Sequence, residues 1–246
     1  MNSNSSTPNP ASTAPVAIRV WDAPVRVFHW LLVLSFTGAY LSAESETWRL
    51  VHVTLGYTLG GLIAFRLVWG LVGTRYARFG NFVRGPQAVL RYLQSLLRGK
   101  PAHSIGHNPA GAVAIVLLLA LGLGIVASGW AIYNDVGGEW LGDVHEFIAN
   151  AMLLVVGVHL VGVASASWLH RENLVRSMVT GTKRGAVADG IRSNWRTVAV
   201  VVVLAVLGFW WIQWQSAPSA QHAARAVQTL VPAPAAQAPV LSHTKA

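Results

Sequence analysis

Five apolar runs divide this chain, at about residues 26–43, 49–72, 109–133, 144–168 and 197–214. Each is close to the ~20 residues that a helix needs to cross a bilayer. In hydrocarbon the backbone N–H and C=O groups must be satisfied within the segment or in a closed barrel, so runs of this length read as helices. Of the 246 residues 53% are hydrophobic and 11% charged, with a mean hydropathy of +0.47. A soluble domain would carry about 25% charged residues. The expected fold class is therefore an all-α integral membrane protein: a four-helix bundle followed by a fifth, C-terminal transmembrane helix over 197–214.

The segments between the runs differ sharply in charge. Residues 1–17 are rich in Ser, Asn, Pro, Thr and Ala and read as a disordered lead, and residues 215–246 as a disordered tail. Residues 73–108 carry Arg75, Arg78, Arg84, Arg91, Arg98 and Lys100 without an acidic residue, and within them Pro86 to Leu97 has the pattern of an amphipathic helix on a membrane surface. A second basic stretch holds Arg171, Arg176, Lys183, Arg184, Arg192 and Arg196, whereas the other links hold Glu44 and Glu46, or Asp135 and Glu139. The net charge of +9 thus reports topology rather than nucleic-acid binding. By the positive-inside rule the N-terminus and both basic loops are cytoplasmic, and the tail lies on the outer face. Trp210, Trp211 and Trp214 close the fifth run as an aromatic belt.

Four histidines fall inside the runs: His29, His52, His145 and His159. Polar side chains at such depth are costly and usually partnered. With the topology above, His52 and His145 share the outer level, while His29 and His159 share the inner one. His159 follows His145 by 14 residues, which is roughly 21 Å along a helix and about 40° short of four full turns. One helix can therefore offer an imidazole to each of two stacked sites, with the first and second helices supplying the opposite ligands. Two bis-imidazole haem irons in series satisfy this pattern, and such ligation favours electron transfer over oxygen chemistry. The chain has no cysteine, so any haem is held without thioether bonds.

Other readings of these residues remain open. A single membrane histidine can be a helix-to-helix hydrogen bond, and four can line a transporter or merely pack in a non-catalytic anchor. Arg66, 14 residues after His52, either snorkels to the cytoplasmic headgroups or meets a haem propionate near the inner level. Asn108 and Pro109 have the form of a helix N-cap and first position. His107 and the neighbourhood of Glu146 are candidates for proton transfer to a quinone.

Several local patterns together resemble the bacterial cytochrome b561 family, in the group that includes the cytochrome b subunits of nickel-iron hydrogenases. They are Trp21-Asp22 with Arg26, His29 and Trp30; His52 with Gly56 and Gly60; Arg66, Trp69 and Gly73 followed by Tyr76-Ala77-Arg78-Phe79; Gly106-His107-Asn108-Pro109 with Gly111; and His145-Glu146 with His159. The similarity covers about residues 18–185. It implies a dihaem membrane domain with two haem b groups whose axial ligands are His29, His52, His145 and His159. It also implies a bacterial inner-membrane location, exchange with the quinone pool, and a periplasmic redox protein or enzyme subunit as partner. The chain is then an electron-transfer protein or the cytochrome b subunit of an oxidoreductase. The fifth helix and the tail depart from the simplest four-helix form.

Overall fold

The computed structural model describes residues 16–98 and 104–216. Most of the lead and tail therefore lie outside the described residues, as do Lys100, His103, His222 and His243.

Among the described residues eight α-helices account for most of the fold: α1 (Ala23–Ser42), α2 (Arg49–Val72), α3 (Phe79–Phe82), α4 (Pro86–Leu97), α5 (Pro109–Tyr133), α6 (Trp140–Leu169), α7 (Leu174–Thr180) and α8 (Arg196–Ser216). Five of them, α1, α2, α5, α6 and α8, are long and apolar enough to cross a membrane. Their ends follow local chemistry. Asp22 starts α1 three residues before the expected boundary, because its Oδ1 accepts the N–H of Val25 at 2.8 Å. Asn108 does the same for α5 through Gly111 at 2.7 Å, with Pro109 in the first turn, as the sequence predicts. Helix α6 begins at Trp140 rather than 144, since Asp135 and Gly137 take positive φ values of 54° and 100° and complete the reversal within the link.

Helices α1, α2, α5 and α6 pack in the order α1 on α2, α2 on α5 and α5 on α6, and α8 lies mainly against α1. The shared core contains Phe28, Phe36, Leu59, Leu62, Ile63, Leu119, Ile125 and Met152, with Val206 from α8. Lipid is as apolar as these side chains, so close packing and hydrogen bonds hold such helices together. One of those bonds corrects the aromatic-belt reading. Trp211 and Trp214 are exposed, but Trp210 turns inward and donates its indole N–H to Thr58 Oγ1 at 2.9 Å. That hydroxyl in turn donates to the carbonyl of Thr54. A polar contact thereby fixes the fifth helix to α2.

The basic loops form a folded cap, which sequence reading does not anticipate. Val16–Arg19 (β1) pairs antiparallel with Thr182–Gly185 (β2), in the register Val16 with Gly185 and Arg19 with Thr182. Val16 and Ala17, assigned to the disordered lead, thus belong to a strand. The N–H groups of Val20 and Trp21 both donate to the carbonyl of Gly181. Gly181 ends α7 in the left-handed region, at φ 82°, and a Cβ there would meet the carbonyl of Trp21. Ile18, Val20 and Trp21 are buried against Tyr76, Ile105 and Met178. Lys183, buried, pairs with Glu172 at 3.0 Å. The N-terminal strand and both basic loops therefore meet at one end of the bundle, and the acidic links lie at the other.

Candidate functional site

At the acidic end, α2 and α6 bring His52 and His145 together, with ring centroids 6.2 Å apart and planes at 68°. Each ring is held from behind. His52 Nδ1 lies 2.8 Å from the carbonyl oxygen of Ala39. A carbonyl only accepts, so Nδ1 carries the proton and Nε2 keeps its lone pair. His145 Nδ1 lies 2.9 Å from Ser128 Oγ, and that hydroxyl already donates to the carbonyl of Gly124 at 2.8 Å. It therefore accepts from His145, which leaves that Nε2 free as well. Second partners of this kind fix the tautomer and orientation of metal-binding imidazoles.

The two rings face a cavity of about 380 Å³. Phe36, Leu59, Ile125 and Val126 supply apolar wall, and Glu44 and Glu146 are among its lining residues. Gly129 on α5 lets the His145 ring approach, since a Cβ there would stand 3.0 Å from Cε1. With both Nδ1 atoms engaged, the two Nε2 lone pairs form a donor set suited to a metal ion. Helix α6 has only Met152 and Ala166 buried along its length, so most of its surface is open to a further occupant or to lipid. The residues present fit a flat, bis-imidazole-bound group.

The inner level is arranged differently. His29 on α1 meets Trp30 edge-on at 5.1 Å, and its Nδ1 is buried with no hydrogen-bond partner among the described residues. It lies within coulombic range of His159 on α6. Arg66 is 3% exposed, so it does not snorkel outward. Its guanidinium carbon sits 4.6 Å from the Phe79 ring centroid instead. His107, in the loop before α5, is sandwiched between Trp21 and Phe82 at centroid distances of 4.6 and 4.4 Å. Burial, then Arg66, Lys183 and His159, push its pKa down to about 3, so it is neutral at physiological pH.

Sequence reasoning missed the residues that support the histidines. Ser128 is a polar residue in an otherwise apolar α5, and that was a usable signal. Ala39 acts through its backbone and left none. Asp22 stands beside Trp21 in the sequence without marking itself as a joint. It is 0% exposed, and its Oδ2 accepts from Trp69 Nε1 at 3.1 Å and Thr74 Oγ1 at 2.6 Å, which fastens α1 to the C-terminal end of α2.

The family model described as prokaryotic cytochrome b561 matches residues 20–181, a stretch that contains all four membrane histidines, Arg66 and His107. A "Probable Ni/Fe-hydrogenase B-type cytochrome subunit" of Rhizobium leguminosarum bv. viciae is 24% identical over 213 residues, covering 68% of this chain and 89% of its own. The subunit of that name from Azotobacter vinelandii is 26% identical over 212 residues, with 67% and 88% covered. The "Probable Ni/Fe-hydrogenase 1 B-type cytochrome subunit" of Escherichia coli (strain K12) is 28% identical over 142 residues, with 47% and 60% covered. No solved structure matches. Helix α8 lies beyond the matched stretch. With five membrane-length helices and the matched region spanning the histidine-bearing bundle, the chain belongs to the prokaryotic cytochrome b561 family.

Proposed function

We propose that this chain carries two haem b groups, one between His52 and His145 and one between His29 and His159, and passes electrons between membrane quinone and a redox partner at the outer face. Haem b and electron transfer in the membrane come with the family. The number of groups, their ligands and the direction in which the chain faces are read from its own residues. The observation that carries the reading is the His52–His145 pair, with ring centroids 6.2 Å apart and both Nδ1 atoms tethered.

When bound, haem supplies one-electron redox chemistry, and bis-imidazole ligation leaves no position for dioxygen. The protein's part is to hold and to insulate. The carbonyl of Ala39 and the hydroxyl of Ser128 aim the outer imidazoles, and the apolar walls exclude water. Clustering of the basic loops at one end supports a cytoplasmic N-terminus and a periplasmic C-terminus. The relatives are named as Ni/Fe-hydrogenase subunits, so the proposed partner is an enzyme of that class docked at the acidic end. A metal-ion transporter has less support, because among the described residues no three His, Cys, Asp or Glu side chains converge.

The test is a reduced-minus-oxidised visible spectrum of the detergent-purified protein with haem quantified by pyridine haemochrome, repeated for His145→Ala and His159→Ala. A b-type band with about two haems per chain, falling to about one in each variant, is the expected result. A folded, haem-supplied wild-type preparation with no haem would refute it.

A further inference from the structure

Arg66 follows His52 on α2 by 14 residues, just as His159 follows His145 on α6. Both helices run from the acidic end to the basic end. Each pair therefore spans roughly 21 Å and returns to nearly the same face. Arg66 thus occupies on α2 the level that His159 occupies on α6, and it projects from the side of α2 that carries His52.

Among the described residues no carboxylate forms an ion pair with it. Arg66 Nη1 is buried and has no hydrogen-bond partner among the described residues. Neither the Arg75–Asp189 nor the Lys183–Glu172 ion pair involves Arg66. Asp22 is within coulombic range, but its two oxygens are committed to Val25, Trp69 and Thr74. Phe79 and Phe82 cover the guanidinium with ring faces, at 4.6 and 6.0 Å, and these supply no acceptor oxygen. An isolated buried guanidinium is costly, so its retention calls for an anion. A second orphan atom lies nearby: His107 Nδ1 is buried without a partner, and His107 is within coulombic range of both Arg66 and His159. The outer level contrasts with this, since both of its imidazoles have their Nδ1 atoms satisfied.

We propose that Arg66 and His107 form an oxyanion receptor at the inner level, and that it takes a carboxylate of the redox group held there by His29 and His159. The proposal rests on the dihaem reading, in which that carboxylate is a haem propionate. An arginine fork suits such a group, with paired charge-assisted hydrogen bonds. Arg66 is then a positioning residue that also raises the reduction potential at its level, because a nearby positive charge favours the reduced form. The phosphate of an anionic lipid offers the same chemistry from another source.

The experiment is a spectroscopic redox titration of purified wild-type protein, Arg66→Gln and Arg66→Lys, with haem and phospholipid phosphorus counted per chain. If the carboxylate belongs to the redox group, Arg66→Gln lowers the midpoint potential of one haem, leaves the other in place, and Arg66→Lys restores part of the shift. If the anion is lipid, both potentials hold and bound phosphorus falls in Arg66→Gln, which overturns the assignment to the redox group. Unchanged potentials with unchanged phosphorus eliminate the receptor altogether. Should Arg66→Gln fail to accumulate, His107→Phe read by the same titration tests the second orphan atom. Fewer than two haems in the wild type is a failure of the dihaem reading, visible before any variant is compared.

Discussion

Ser128 holds His145 by accepting from Nδ1 at 2.9 Å while giving its own proton to the carbonyl of Gly124 at 2.8 Å. The hydroxyl therefore has one job toward the imidazole, and alanine removes it without adding bulk. Supporting contacts of this type are worth about 10- to 100-fold in metal affinity. Ser128→Ala is expected to accumulate normally in the membrane and to lose haem to an apo-acceptor protein roughly 10- to 100-fold faster from the proposed site between His52 and His145. Wild-type release rates at both sites would show that the tether is unimportant.

Gly56 lines the cavity beside His52 and His145, and a Cβ added there meets nothing within 4 Å. A phenylalanine side chain therefore starts from an open position beside the cavity. Gly56→Phe should keep its level in the membrane while bound haem drops from about two per chain to about one. Full haem content in this variant would argue that the cavity is not the outer cofactor's seat.

Asp22 caps α1 and receives two side-chain donors from the region of α2, all while fully buried. Hydrogen bonds to a charged group contribute about 1.5–3 kcal/mol each, and stranding buried donors adds to the loss. Asp22→Ala should therefore destabilise the detergent-solubilised protein by about 3 kcal/mol or more, seen as a large drop in thermal midpoint. A shift of only a degree or two would mean that the joint between α1 and α2 is held elsewhere.

His107 adds a pH dependence whose sign follows from its surroundings. Its pKa is lowered from 6.5 to about 3 by burial and by Arg66, Lys183 and His159. The folded chain thus binds fewer protons there than the unfolded chain between these values. Its contribution to stability is complete above pH 6.5 and is lost as pH falls toward 3, at up to about 1.4 kcal/mol per pH unit. His107→Phe keeps an aromatic ring between Trp21 and Phe82 and should flatten that part of the stability–pH curve. Parallel curves for wild type and variant would assign the acid sensitivity to other groups.

Length and hydropathy made the helices of this chain legible, because a bilayer constrains segment length strongly. The ends of α2 and α5 follow directly from the residue pattern, whereas α1 and α6 begin earlier than hydropathy suggests, since a buried Asp22 and a positive-φ link set their starts. The depth argument for the histidines needed the charge of the loops and helix geometry, and the structure brings the His52 and His145 rings to 6.2 Å. What held the rings was harder to read. A backbone carbonyl at Ala39 carries no side-chain signature, and Arg66 had two physically reasonable fates until its burial was seen. The β1–β2 ribbon was invisible for another reason. Each strand has four residues, and their pairing spans most of the chain.

That pairing bears on how the protein is made. Strand β1 emerges first, yet its partner follows only after four membrane crossings have been synthesised. At ribosomal rates of 5–20 residues per second the wait is on the order of 10 to 30 s. During it, Val20 and Trp21 have neither Gly181 nor Met178 to cover them. Closure of the cap therefore requires that the chain between the two strands return β2 to the end of the bundle where β1 waits.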